Sequence, residues 1–317
     1  MLFAMPKKSS FFTSRPSIFI AVLLAAPLPL VFAKPAASPE VPVANLAPSP
    51  SEKIVSQESL TATAWVQSAA EAKIAARQAY FLATRQLDAA LRSPKWSAAI
   101  EQKPRFEKLP PAVILDLDET VLDNSPYQAR LVRDNALYSS QGWTRWVAQA
   151  DASAIPGASA FLEFASKKGV QIFYVSNRNT GEEAATRENL RRLGLPVQGP
   201  DDHVLMSGER PEWTSDKTTR RTFVAQKHRI LLLVGDDLND FVTAKPRTRP
   251  ERLDLMERYA QFWGQRWIML SNPLYGSWEG ALFDYRSDLS REEMLQRKYN
   301  ALQTGEASPP LSPVPLP

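Results

Sequence analysis

There is no cysteine anywhere in the chain of 317 residues. That absence excludes disulfides, thiolate catalysis and cysteine-ligated metals, and with them a lipid anchor attached through cysteine. A strong charge of one sign is also missing. Basic residues number 38 and acidic ones 34, and three of the basic ones (Lys7, Lys8 and Arg15) fall in the acid-free first 33 positions. Without that segment the balance is close to neutral, so the net charge gives no argument for a nucleic-acid polymer as partner. Nor is there a long unbroken apolar run. Ile18–Phe32 is interrupted by Pro27 and Pro29 and is short for a membrane span. With basic residues before it and Val31-Phe32-Ala33 at its end, residues 1–33 have the pattern of a secretory signal peptide cleaved near Ala33. An uncleaved anchor is the alternative. Cleavage would leave a periplasmic or secreted chain with no stable membrane anchor.

What is present reads as a linker, one folded region and a tail. Residues 34–59 are rich in Pro, Ala and Ser, the composition of a disordered linker. From Leu60 to Leu91, Trp65, Ala69, Ala72, Ala76, Ala79, Ala83, Leu87 and Leu91 recur at helical spacing. They predict one or two amphipathic helices, stopped by Ser93-Pro94. Further helices are predicted over Asn135–Ala150, Gly157–Lys168, Glu182–Arg192 and Thr218–Lys227. Strands are predicted over Ala112–Leu115, Val170–Val175, Ile230–Val234 and Trp267–Leu270. This alternation gives an α/β fold, a doubly wound parallel sheet. It occupies residues 60–300, with helical parts at 60–110 and 123–155, and a proline-rich disordered tail follows over 301–317. There is no internal repeat.

The stretch Ala112–Tyr127, AVILDLDETVLDNSPY, organises the rest. A short apolar run ends in Asp116-Leu117-Asp118, and residues two apart in an extended segment share a face. Two carboxylates leaving one strand end together are costly unless a cation or a shared proton relieves them. For a bare Asp-x-Asp, solvated acids at a strand end would suffice as an explanation. Here Glu119, Thr120 and the run Val121–Tyr127 follow at once, and ILLLVGDDLNDF appears later at Ile230–Phe241.

The two stretches, in this order, resemble the haloacid dehalogenase phosphohydrolases of the DDDD branch, and more narrowly the bacterial class C acid phosphatases. The resemblance runs from about Trp65 to Leu282. It implies a haloacid dehalogenase-like core with a small helical cap, and an Mg²⁺-dependent phosphomonoesterase acting on small phosphomonoesters, 5′-nucleotides among them. Under that resemblance Asp116 is the nucleophile and an Mg²⁺ ligand. Asp118 is the general acid and base, giving the cation its backbone carbonyl. Thr120 supports the loop beside the substrate. Ser176, in Ser176-Asn177-Arg178, matches the second motif and would hydrogen-bond a phosphoryl oxygen, with Asn177 beside it. Arg178 is a second phosphate contact or a solvated cation. Lys217 matches the third motif and would neutralise Asp116, with Arg220 and Arg221 as nearby competitors. Asp236 is the direct metal ligand of the fourth motif, and Asp240 supports the cation or Lys217. Asp237 stands where relatives carry Asn or Thr; it either tightens cation binding or points to solvent.

Trp267–Ala281, WIMLSNPLYGSWEGA, resembles the closing segment of that family. It implies that Tyr275 and Trp143 clasp the leaving group, against the plainer alternative of core packing. His203 and His228 belong to no phosphohistidine motif and are expected to be structural. Two rival functions remain: a phosphotransferase or mutase of the same superfamily, and a non-catalytic binding protein on this fold. Homo-oligomerisation is compatible with either.

Overall fold

The structure is a computed structural model and describes residues 57–197 and 202–303. The expected signal peptide, nearly all of the linker and the tail beyond residue 303 lie outside the described residues.

Among the described residues, seven strands occur in the order β1 (Pro111–Leu115), β2 (Leu122–Asp123), β3 (Ser153–Ala154), β4 (Gln171–Asn179), β5 (Val204–Ser207), β6 (Arg229–Gly235) and β7 (Trp267–Met269). Five form a parallel sheet ordered β5-β4-β1-β6-β7, while β2 and β3 make a short antiparallel pair. The chain leaves β1 for β4 and β5 on one side, then crosses to β6 and β7 on the other. The topological switch therefore falls at β1, where open α/β sheets bind ligands beyond the strand ends.

Alternation along the strands splits the core in two. Val113, Leu115, Ile172, Tyr174 and Val234 face one apolar cluster. Ala112, Ile114, Phe173, Val175 and Leu233 face the other. The first cluster is covered by α2 (Ala70–Leu91), through Tyr80, Ala83 and Leu87, and by α5 (Ala158–Lys167), through Phe161 and Leu162. The second takes Val224 and Ala225 from α7 (Thr218–Ala225). Helices on both faces confirm the doubly wound expectation. The helical run before the sheet breaks into α1 (Leu60–Ser68) and α2, and α6 spans Glu183–Arg192.

One predicted helix is different. Asn135–Ala150 is helical only over α4 (Ser140–Val147), and a separate helix, α3 (Ser125–Arg133), precedes it. Pro126 sits in the first turn of α3, where its missing N–H leaves no bond unmade. Asn135, at φ 48°, turns the chain out of α3. Ser139 then caps α4 by accepting from the Gly142 N–H at 3.1 Å. Among the described residues, four helices and three strands had not been expected: α3, α8 (Arg249–Arg258), α9 (Ser277–Gly280), α10 (Arg291–Asn300), β2, β3 and β5. Among the described residues no helix is long and apolar enough to cross a membrane.

Candidate active site

Asp116 leaves the C-terminal end of β1 and Asp236 that of β6, the strand beside it. After β6 the chain folds into a tight acidic turn. Asp240 Oδ2 accepts from the backbone N–H groups of Asp236 (3.1 Å) and Asp237 (2.9 Å). Gly235 is required beneath it, because a Cβ there would overlap the Asp240 carboxylate. One oxygen from each of Asp116, Asp236 and Asp240 lies within 4.8 Å of the others.

Lys217, just before α7, is the countercharge. Its ammonium contacts Asp116 Oδ1 and donates to Asp240 Oδ1 at 2.7 Å. Arg220 and Arg221 point elsewhere. Arg220 is fully buried and binds the Ser176 carbonyl, Asn177 Oδ1 and the Thr214 carbonyl. Arg221 pairs with Glu101 at 2.7 Å and donates to the Asn239 and Asp240 carbonyls. Three clustered carboxylates thus share one ammonium.

The titration of the group reflects this shortfall. Burial pushes the Asp116 carboxyl from its ordinary 3.8 up to about 7; Lys217 pulls it down, while Asp240 and Asp118 add to the rise. Burial, then the neighbouring Asp116 and Asp240, hold the Asp236 carboxyl well above its ordinary range. Burial alone would depress the Lys217 ammonium, but Asp116 and Asp240 outweigh it and raise it. Oxygen donors with excess negative charge suit a hard divalent cation.

Asp118 is held apart from that group. Arg178 forks onto it, Nη2 to Oδ1 at 2.7 Å and Nε to Oδ2 at 3.2 Å, and Asn124 Nδ2 donates to Oδ1 at 2.9 Å. Arg178 is buried and also donates to Thr186 Oγ1 at 2.9 Å. Its burial excludes the solvated cation of the two sequence alternatives, and the residue also lines the cavity over Asp116 and Asp118. Thr120 is fully buried, and its hydroxyl donates to Asp236 Oδ1 at 2.8 Å, so it props that acid. Ser176 is fully buried, its Oγ accepting from the Arg178 N–H at 3.1 Å. Asn177 is exposed and bridges to the Ser215 carbonyl at 3.1 Å.

A cavity of about 1070 Å³ opens over Asp116, Asp118, Lys217, Asp236 and Asp240, with Trp143 and Tyr275 both on its walls. Trp143 lies under the Arg178 guanidinium, 5.6 Å from ring centroid to carbon, and edge-on to Tyr127 at 5.3 Å. His203 and His228 are buried against Phe173, at ring distances of 4.8 and 4.9 Å, and are absent from the cavity lining. Three contributors were missed in the sequence. Asn272, just past β7, donates to Asp236 Oδ2 at 2.9 Å. Asn124 holds Asp118, and Glu119 accepts from the Tyr275 hydroxyl. For Asn272 the available signal was its place after an apolar strand, the position shared by Asp116 and Asp236.

Fold and site together define an α/β protein of haloacid dehalogenase type, with two aspartates leaving the central strand. The chain belongs to the haloacid dehalogenase superfamily, subfamily IIIB (acid phosphatase), the family that it matches over residues 41–278. Among solved structures it is similar to the class C acid phosphatase of Bacillus anthracis, with 35% identity and a TM-score of 0.70, covering 80% of this chain and 99% of that one. The same enzyme with tungstate bound matches at 34% identity, with the same score and coverage. Acid phosphatase 1 of Solanum lycopersicum is 26% identical over 147 residues, 44% of this chain and 55% of that protein. The stem 31 kDa glycoprotein of Glycine max is 26% identical over 134 residues, 41% of this chain and 51% of that protein. The chain spans about half the length of these curated relatives.

Proposed function

We propose that the protein is an exported, Mg²⁺-dependent acid phosphatase that hydrolyses small phosphate monoesters, 5′-nucleotides among them. The observation that carries this reading is the Lys217 ammonium lying between Asp116 and Asp240 beside Asp236. Asp116 attacks phosphorus in line and forms an aspartyl-phosphate, while Asp118 passes a proton to the departing ester oxygen. Asp118 then takes a proton from the attacking water, and inorganic phosphate leaves with Asp116 again a carboxylate and Asp118 again protonated. Oδ1 of Asp118 is occupied by Arg178 and Asn124, whereas Oδ2 keeps only a 3.2 Å contact, which favours Oδ2 as the proton carrier. The Lys217 ammonium offsets negative charge on Asp116 and on the phosphoryl oxygens.

Asp116, Asp236 and the Asp118 carbonyl would hold the cation, with Asp240 in support, and it would supply positive charge to the phosphoryl group. Mg²⁺ is chosen because every available donor is oxygen. The tungstate held by the Bacillus anthracis relative, a tetrahedral oxyanion, agrees with a phosphate-binding site. Trp143 and Tyr275 sharing the cavity supports an aromatic clasp on the leaving group. Export rests on the pattern of residues 1–33. The test is phosphate release from nucleotides, sugar phosphates and aryl phosphates, with and without Mg²⁺. Transfer of phosphate to added alcohols instead of water would favour a phosphotransferase.

A further inference from the structure

Tyr275 lies in the segment between β7 and α9, and two acids fasten that segment at two points. Asp237 accepts from the backbone N–H of Ser277 at 2.6 Å and from its hydroxyl at 2.5 Å. Its Oδ1 also accepts from the Asn239 N–H at 2.9 Å, so one carboxylate ties the Tyr275 segment to the turn carrying Asp236 and Asp240. Gly276 permits this approach: a Cβ there would lie 2.9 Å from Asp237 Oδ2, and its φ of 149° is one that side chains rarely adopt. At the ring's far end the Tyr275 hydroxyl donates to Glu119. Glu119 also accepts from the Asn124 N–H at 3.0 Å and sits at φ 58°, in the turn directly after Asp118. Asp237 is not one of the three acids that converge beside Lys217.

We infer that Asp237 is a positioning residue for leaving-group recognition. It fixes the backbone beside Tyr275, while Glu119 fixes the hydroxyl, so the ring is registered against the reacting carboxylates from both ends. This rests on the reading of Trp143 and Tyr275 as a clasp. It gives Asp237 a role that is neither cation binding nor solvation.

The test is steady-state kinetics on adenosine 5′-monophosphate and glycerol phosphate at saturating Mg²⁺. The proteins are the parent, Asp237→Ala, Tyr275→Ala and the double variant. Asp237→Ala should raise KM for the nucleotide roughly 5-fold or more, the lower end of a lost stacking contact. Its kcat and its glycerol phosphate kinetics should stay within about twofold of the parent, because Asp240 Oδ2 still holds the acidic turn through the Asp236 and Asp237 N–H groups. In the Tyr275→Ala background the same change should add nothing, since residues that act through one another are non-additive. Asp237→Asn, which keeps an acceptor oxygen, should recover most of the loss. Ser277→Ala should repeat it more weakly, and carries the test if Asp237→Ala does not fold. Equal losses on both substrates from Asp237→Ala, a loss that persists without Tyr275, or a raised Mg²⁺ requirement would each overturn the inference alone. If Tyr275→Ala itself weakens both substrates equally, the clasp reading fails and the inference falls with it.

Discussion

Arg178, on β4, grips Asp118, on the loop after β1, through two guanidinium nitrogens, and both side chains are largely shielded from water. A forked, buried pair of this kind fixes direction as well as charge. Asp118 therefore has one orientation relative to Asp116. The same guanidinium lies over the Trp143 ring, 5.6 Å from its centroid.

Arg178→Lys keeps the charge and loses the fork. The expected outcome is a fall in kcat of order 10²-fold, the size that a misplaced catalytic group produces. The fall should be the same for nucleotides and for glycerol phosphate. A rise in KM with kcat intact would make Arg178 a substrate contact instead.

Trp143→Ala should distinguish clasp from packing. Stacking a base on an aromatic ring is worth roughly 1–3 kcal/mol, so kcat/KM for nucleoside monophosphates should fall about 5- to 150-fold. Glycerol phosphate has no ring, and its loss should be several times smaller. Equal losses on both, with a lowered Tm, would assign Trp143 to packing against Tyr127.

Burial and crowding of the acids predict a pH-dependent response to the cation. The Asp116 carboxyl rises from 3.8 to about 7 on folding. A carboxyl raised in this way binds more protons folded than unfolded, so stability present below the unfolded value is lost as pH rises through about 7. The chelator-treated protein should lose Tm between about pH 4 and pH 7, and Asp116→Asn should lose less. Mg²⁺ should raise Tm more at pH 7 than at pH 5. An Mg²⁺ shift identical at both values would contradict the acid group as its site.

The strands around Asp116 and Asp236 were legible because each is a short apolar run ending in acid, a pattern that needs no tertiary context. The helices α8 and α10 carried a readable signal that went unused: Thr248 with Glu251, and Ser290 with Glu293, form capping boxes. β5 is only Val204–Ser207, too short for periodicity to separate from a loop. Other features were not local at all. Asp237 meets Ser277 across 40 residues, and Arg178 meets Asp118 across 60. Their partners depend on strand order, which composition and spacing do not encode. The acceptor of the Thr120 hydroxyl, Asp236, lies 116 residues away and was not legible for the same reason.

Gly235→Ala tests the acidic turn from beneath. The added methyl would displace the Asp240 carboxylate and, with it, one of the two acids on Lys217. Activity on every substrate should fall by at least an order of magnitude, as expected when a catalytic group is misplaced. Unchanged kinetics in a folded variant would mean that Asp240 has no part in holding Lys217.

The central claim is that Asp116 carries the phosphoryl group. It is tested most directly by acid-quenching the enzyme during turnover and mapping covalent phosphate onto its peptides. The account predicts phosphate on Asp116, and none in Asp116→Asn, which should fold without turning over. Phosphate bound elsewhere, or an Asp116→Asn variant that keeps more than a trace of turnover, would contradict it.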